Sequence, residues 1–247
     1  MKSWLYNLLI PRHRKRSVRR LRDLEYRLPS QRVRFAVPFV FRGAGHFRSL
    51  RPLQTPREIE ALYQTVCDLA PRRVLEIGTA KGGTLYLWTQ AAAPDAALIS
   101  IDLPGGRFGG GYRPCRSDLY RAFAQPGQTV NLLRADSHAP DTLDQVRRLL
   151  QGQAVDFLFI DGDHTYAGVK ADFLQYGPLV RPGGLIALHD ILPANHDPEI
   201  RVSELWDQLR GRFESAEWVW PDRAGRRIGI GVLRAPEGGL PADLGLR

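Results

Sequence analysis

Residues 74–84, Val-Leu-Glu-Ile-Gly-Thr-Ala-Lys-Gly-Gly-Thr, constrain the fold more than any other stretch of this chain. An apolar run ends in Glu76-x-Gly78 and passes through glycines into helix-compatible sequence, which reads as strand, tight turn and helix start. Glycine suits such a turn because φ can be positive there and because a bound ligand must approach the backbone closely. The helix that follows offers unpaired N–H groups at its first turn. The spacing Gly-x-x-x-Gly-Gly departs from the pyrophosphate fingerprint Gly-x-Gly-x-x-Gly, and no Gly-Lys-Ser/Thr follows, so neither a dinucleotide fingerprint nor a P-loop is present.

Further short apolar runs follow at 98–101, 130–133, 155–160 and 185–188, in addition to 73–77, with helix-sized stretches between them. Strands that are apolar on both faces belong to parallel sheets covered by helices on both sides. Thr55, Pro56 and Glu58 read as a helix start: a cap, a proline at the first helical position and an acid in the first turn. Gly183-Gly184 after Pro182 predicts a tight entry into the fifth strand. A run at 227–233 after 218–220 predicts an antiparallel strand at the C-terminal edge. The expected fold class is therefore α/β, a doubly wound mostly parallel sheet with an antiparallel C-terminal edge strand. Residues 1–50 read as a basic arm, 51–235 as the α/β domain and 236–247 as a flexible Gly/Pro tail. Trp206, Leu209 and Phe213 have the spacing of core residues.

Candidate chemistry sits at the strand ends, which converge on one crevice in a doubly wound sheet. Asp102 ends the second strand, where an acid can accept both hydroxyls of a ribose. Asp136 and Ser137 follow the third, where they can bond an adenine edge. Asp161 and His164 follow the fourth strand, and His189 and Asp190 end the fifth. Carboxylates with an imidazole can hold a divalent metal. His164 can equally be a helix cap, and His189 a packing residue. The loop 104–114, with five glycines, is either a connector or a lid.

Glu76-x-Gly78-x-x-x-Gly82-Gly83, Asp102 and Asp136, in this order and spacing, resemble the cofactor motifs of class I S-adenosylmethionine-dependent methyltransferases. The resemblance covers about residues 55–235. It implies a Rossmann-like methyltransferase fold, with Glu76, Gly78, Thr79, Lys81, Gly82, Gly83 and Thr84 around the methionine part of the cofactor. Asp102 would bind the ribose, Asp136 and Ser137 the adenine, and Asp161 would border the cofactor. The segments around Asp161 and Asp190, and the glycine loop, are similar to those of the small-molecule O-methyltransferases typified by macrocin O-methyltransferase and of the cephalosporin hydroxylase-like proteins. That narrower resemblance implies a metal, magnesium or manganese, held by Asp161, His189 and Asp190. Asp161 and His164 would be catalytic, with His164 as general base, and the acceptor would be a hydroxyl of a sugar, polyol or other small natural product. His189 stands where the relatives usually have an acid, and imidazole suits Mn, Fe or Zn better than Mg. A macromolecular acceptor, or a non-catalytic module binding the same cofactor, are the competing expectations.

The net charge of +9 is confined to one end: in residues 1–34, eleven Lys and Arg stand against Asp23 and Glu25 alone. The remaining chain is neutral, which argues against nucleic acid as a partner. The apolar residues 4–10 followed by the basic residues 12–22 suit peripheral contact with an anionic membrane, a phosphate contact, or a solvated tail or oligomer contact. No run is long enough to span a bilayer, and a signal peptide is not expected. Cys67 and Cys115, widely spaced, imply no disulfide framework. The expected setting is cytoplasmic, in reach of the inner face of the membrane, with a homo-oligomer as the expected state.

Overall fold

The computed structural model describes residues 29–42, 50–105, 108, 111–194, 197–222, 224–241 and 244–246. Most of the basic arm, including the 4–10 and 12–22 stretches, lies outside them. Seven strands form one sheet: β1 Arg73–Ile77, β2 Ala97–Ile101, β3 Thr129–Leu133, β4 Val155–Ile160, β5 Val180–His189, β6 Ser215–Trp218 and β7 Ile230–Arg234. Their order is β3-β2-β1-β4-β5-β7-β6. β1 to β5 are parallel, and β7 runs antiparallel to both β5 and β6. The antiparallel pair thus forms one edge of the sheet, with β6 outermost and the C-terminal strand one place in. The helices are α1 Pro29–Arg42, α2 Pro56–Leu69, α3 Gly83–Ala91, α4 Ser117–Arg121, α5 Pro140–Leu150, α6 Tyr166–Tyr176 and α7 Val202–Leu209. None of the described helices is long and apolar enough to cross a membrane.

Alternation along the strands sorts the core into two layers. Val74, Leu98, Phe157, Phe159, Leu185 and Ala187 point to one face, where α1, α2 and α3 cover them. Leu75, Ile77, Ile99, Ile101, Leu158, Ile160, Ile186 and Leu188 point to the other, under α5, α6 and α7. Trp88 of α3 packs edge-on against Phe157 and Phe159, with centroids 5.0 and 5.4 Å away. Each such buried large side chain contributes on the order of 1.5–3 kcal/mol. Trp206 and Leu209 are buried as their spacing predicts, and Phe213 packs against them.

Local signals shape the elements. Thr55 caps α2 in a complete capping box with Glu58, and the same glutamate accepts the N–H of Trp220 at 3.0 Å, tying the C-terminal part of the chain to α2. The expected domain start at residue 51 falls after α1, yet Ala36, Val37, Phe39 and Val40 of that helix are buried in the core, with Phe39 5.1 Å from the Tyr86 ring. Gly183 and Gly184 lie inside β5, not before it. They accommodate a register shift against β4, and a Cβ at Gly184 would meet the Asp156 carbonyl oxygen at 3.0 Å. Asp156 anchors this irregularity by accepting from Arg181 Nε and from the N–H groups of Arg72 and Arg73. The tail, expected to be flexible, is packed where it is described: Leu240, Leu244 and Leu246 contact the second layer, and Lys170 Nζ donates to the Leu246 carbonyl at 2.8 Å.

Candidate cofactor and metal site

β1 ends at Ile77, and residues 78–82 turn into α3. Gly78 takes φ +99° and donates its N–H to the Ile101 carbonyl at 2.8 Å. A Cβ there would lie 2.1 Å from the Asp161 carbonyl oxygen. A Cβ at Gly82 (φ +79°) would strike the Tyr120 ring, and one at Gly83 would lie 2.2 Å from the Leu50 carbonyl oxygen. Here the structure amends the sequence reading: these glycines are required first by the protein's approach to itself. Lys81 is exposed on the turn.

Glu76 is fully buried beneath the turn. Its carboxylate accepts from Trp88 Nε1 at 3.0 Å and from Ser100 Oγ at 2.5 Å, with the Thr84 side chain as a further partner. Thr79 Oγ1 lies 2.5 Å from the same Ser100 hydroxyl. Burial pushes Glu76 up to about 7 against the pull of these donors. Glu76, Thr79 and Thr84 therefore brace the turn from below.

Asp102 is almost fully buried. Its Oδ2 accepts the N–H groups of Gly111 at 3.2 Å and Tyr112 at 3.1 Å. Burial raises its pKa, while these amides, the Ala80 amide and Arg134 pull it back. The glycine loop thus returns onto the acid that precedes it. A Cβ at Gly111 would sit 2.2 Å from Gly105 N, so the neck is closed as tightly as glycine permits. Phe108, on this loop, lies with its ring centroid 4.9 Å from that of His164. Arg107 lies outside the described residues. Beyond β3, Asp136 Oδ1 accepts the His138 N–H at 2.9 Å, and the Ser137 carbonyl accepts from Tyr176 Oη at 2.6 Å.

Across the β1–β4 boundary the contacts change character. Asp161 Oδ1 lies 3.0 Å from His189 Nδ1, and Oδ2 accepts from Gln54 Nε2 at 2.7 Å. Asp190 Oδ2 is 2.5 Å from His164 Nδ1 and 3.4 Å from His189 Nδ1. Asp190 takes a left-handed φ of +61°, a strained conformation for a residue with a side chain, and the two imidazoles fix its carboxylate. Burial alone would raise Asp190, but the charges of His189 and His164 hold it well below the carboxylate range. Burial alone would lower both histidines, but the two acids raise them.

Asp161, His164 and Asp190 each present a ligand atom within 4.8 Å of the others. The expected metal set named His189 in place of His164. Among the described residues His189 is not part of that cluster; it lies behind both carboxylates, bridging them through Nδ1, and its buried Nε2 has no hydrogen-bond partner. Two further residues carry no signal in the sequence. Gln54 reaches Asp161 from the residue before the α2 cap, and its buried Oε1 has no partner. His138 pairs with Asp172 of α6, and this bond, together with the charges of Asp172, Asp136 and Asp163, raises it to about 9 despite burial. No local sequence pattern marks either contact.

Residues 75–191 match a family model described as a methyltransferase domain. A protein of Sinorhizobium fredii, the uncharacterized y4gI, is 30% identical over 145 residues, 57% of this chain; the chain spans 15% of that relative. Solved structures share the fold. An O-methyltransferase of Bacillus cereus in complex with SAH superposes with a TM-score of 0.56 at 18% identity, covering 74% of this chain and 83% of that one. The O-methyltransferase TomG of Streptomyces achromogenes, involved in tomaymycin synthesis and solved with SAM, gives 0.57 at 19%, covering 83% and 89%.

The chain thus carries a segment similar to a methyltransferase domain, on a sheet of the fold that the solved O-methyltransferases share. The matched segment runs from within β1 to just past β5 and holds the strand-end motifs.

Proposed function

We propose that the protein is a class I S-adenosylmethionine-dependent methyltransferase that transfers a methyl group to a hydroxyl oxygen of a small molecule, with a divalent cation at Asp161 and Asp190. The observation that carries this reading is the meeting of Asp161, His164 and Asp190 within 4.8 Å, directly beside Gly78. S-adenosylmethionine supplies an electrophilic methyl on its sulfonium sulfur. The turn at Gly78, Thr79, Lys81, Gly82 and Gly83, braced by Glu76 and Thr84, takes the methionine part. Asp102 takes the ribose hydroxyls, and Asp136 with Ser137 the adenine. Two carboxylates suit magnesium or manganese, and an imidazole in the set would favour manganese. A cation there would lower the pKa of a bound hydroxyl.

His164 is oriented by its bond to Asp190 at Nδ1 and would take the hydroxyl proton on its second nitrogen as the C–O bond forms and the methyl–sulfur bond breaks, with S-adenosylhomocysteine leaving. Phe108 covers the imidazole and limits water at that point. His189 keeps the two carboxylates at a fixed separation. The 4.8 Å cluster favours a second reading, in which His164 is itself the third cation ligand. The neutral body of the chain and the acids in the crevice speak for a small hydroxylated acceptor over nucleic acid.

Calorimetric titration tests both readings. S-adenosylhomocysteine should bind the wild type and lose about tenfold or more in affinity in Asp102→Ala, the scale of one charged hydrogen bond. Absence of binding by folded wild-type protein would overturn the cofactor assignment. Manganese should bind the wild type and not Asp161→Asn. If His164→Ala keeps manganese, the histidine is the base; if it loses manganese, the ligand reading stands.

A further inference from the structure

We propose that His138 and Asp172 form a latch that holds loop 136–138 in the shape that reads the cofactor's base. The inference rests on the assignment of Asp136 and Ser137 to the adenine. Residues 134–139 link the end of β3 to α5 and gain nothing from the sheet ladder. What holds them comes from α6. His138 Nε2 lies 3.3 Å from Asp172 Oδ1 and 3.1 Å from the Gly168 carbonyl. Gln175 Nε2 donates to the His138 carbonyl at 3.4 Å, and Tyr176 Oη donates to the Ser137 carbonyl at 2.6 Å. His138 in turn donates its own N–H to Asp136 Oδ1, so the grip of the helix is passed to the carboxylate that would face the base.

Asp172 makes the latch more than packing. It is fully buried in α6, with no donor in ideal hydrogen-bond geometry; the His138 ring and the Ser137 side chain are its polar partners, and both belong to the loop. The imidazolium of His138 is the counter-charge it faces, and a buried carboxylate stripped of its counter-charge is strongly destabilised. The state of His138 is therefore coupled to the helix, and the loop cannot drift without exposing that cost. Two other acids lie near the ring: Asp136 Oδ1 is 3.7 Å from His138 Nδ1, and Asp163 is engaged elsewhere, its Oδ1 accepting the Thr165 N–H at 2.8 Å at the start of α6. His138 and Asp172 are positioning residues in this account, since neither needs to touch the cofactor.

The test compares S-adenosylhomocysteine with S-inosylhomocysteine, which differs at the base edge, by calorimetry on folded protein, with melting temperature measured without ligand. The wild type should prefer the adenine ligand. His138→Ala and Asp172→Asn should each lose about tenfold in adenine-ligand affinity and most of the preference between the two bases, beyond any drop in melting temperature. Should His138→Ala fail to fold, Asp172→Asn, which keeps the side-chain shape, decides the matter. Wild-type affinity and base preference in these variants, alongside a lost preference in Asp136→Ala, would overturn the latch and leave the adenine assignment standing. An unchanged base preference in Asp136→Ala would remove the assignment, and the latch with it.

Discussion

At the ends of β1, β2 and β3, polar groups are tied to backbone: Asp102 by the amides of Gly111 and Tyr112, Asp136 by the amide of His138, and Gly78 by the Ile101 carbonyl. At the ends of β4 and β5, side chains hold side chains: Asp161 meets His189 and Gln54, and Asp190 meets His164 and His189. The first arrangement suits the proposed cofactor, a ligand that is the same in every turnover. The second depends on charge balance among four titratable groups and can be retuned by single substitutions. The proposed methyl transfer needs both, an invariant cofactor seat and an adjustable acceptor centre, and in that reading the border between them is the close approach of Gly78 to the Asp161 backbone.

The strongest way to separate the halves is His164→Ala. Turnover should fall by about 10²–10⁴-fold, the usual worth of a general base, while S-adenosylhomocysteine affinity stays within about twofold of wild type, a change below about 0.5 kcal/mol. Steady-state rates and calorimetry on the same preparation check this, and a parallel loss of cofactor affinity would show that the halves are not independent. Gly78→Ala attacks the border itself. A methyl group placed 2.1 Å from a backbone oxygen, at φ +99°, should cost about 3–5 kcal/mol. Denaturant unfolding measures it, and a loss below about 1 kcal/mol would mean that the Asp161 segment gives way freely.

The smallest effect is a pH dependence. Glu76 rises from 4.5 to about 7 on folding, so the folded state binds a proton more readily than the unfolded chain. Its contribution to stability is present at low pH, diminishes as pH rises through that window and levels off above it. The change is on the order of 3 kcal/mol. Glu76→Gln should flatten the melting-temperature profile between about pH 5 and 8. An equal slope in both proteins would place the titration elsewhere.

The same contrast explains what could be read from residues in a row. Thr55, Pro56 and Glu58 announced α2 because a capping box is closed within four residues. Gly78 and Asp102 stood out in the sequence because backbone-held groups depend on short spacings and on glycine, whereas the side-chain partners of Glu76, Trp88 and Ser100, carried no such signal. His164 and His189 could not be told apart as members of the metal cluster. Both lie close to the acids in sequence, and only the folded positions of the two rings separate the one that joins the cluster from the one that does not. Gln54 is 107 residues from Asp161 and meets it only after the sheet has formed. The packing of the tail is illegible for a similar reason: three leucines spread among glycine and proline carry no periodicity, and their partners lie on other elements.

The position of β7 between β5 and β6 bears on the order in which the molecule can be built. A chain made from its N-terminal end has β5, with His189 and Asp190 at its tip, as the open edge of the sheet until residues 230–234 arrive. That edge carries unpaired amides and carbonyls along a strongly apolar strand, the kind of surface that recruits foreign strands. Because β7 must seat between two strands that precede it in the chain, its pairings close long loops late. The cluster of Asp161, His164 and Asp190 is thus the last part of the crevice to be enclosed, and a nascent or truncated chain stopping short of residue 230 would carry the turn at Gly78 beside an unfinished flank.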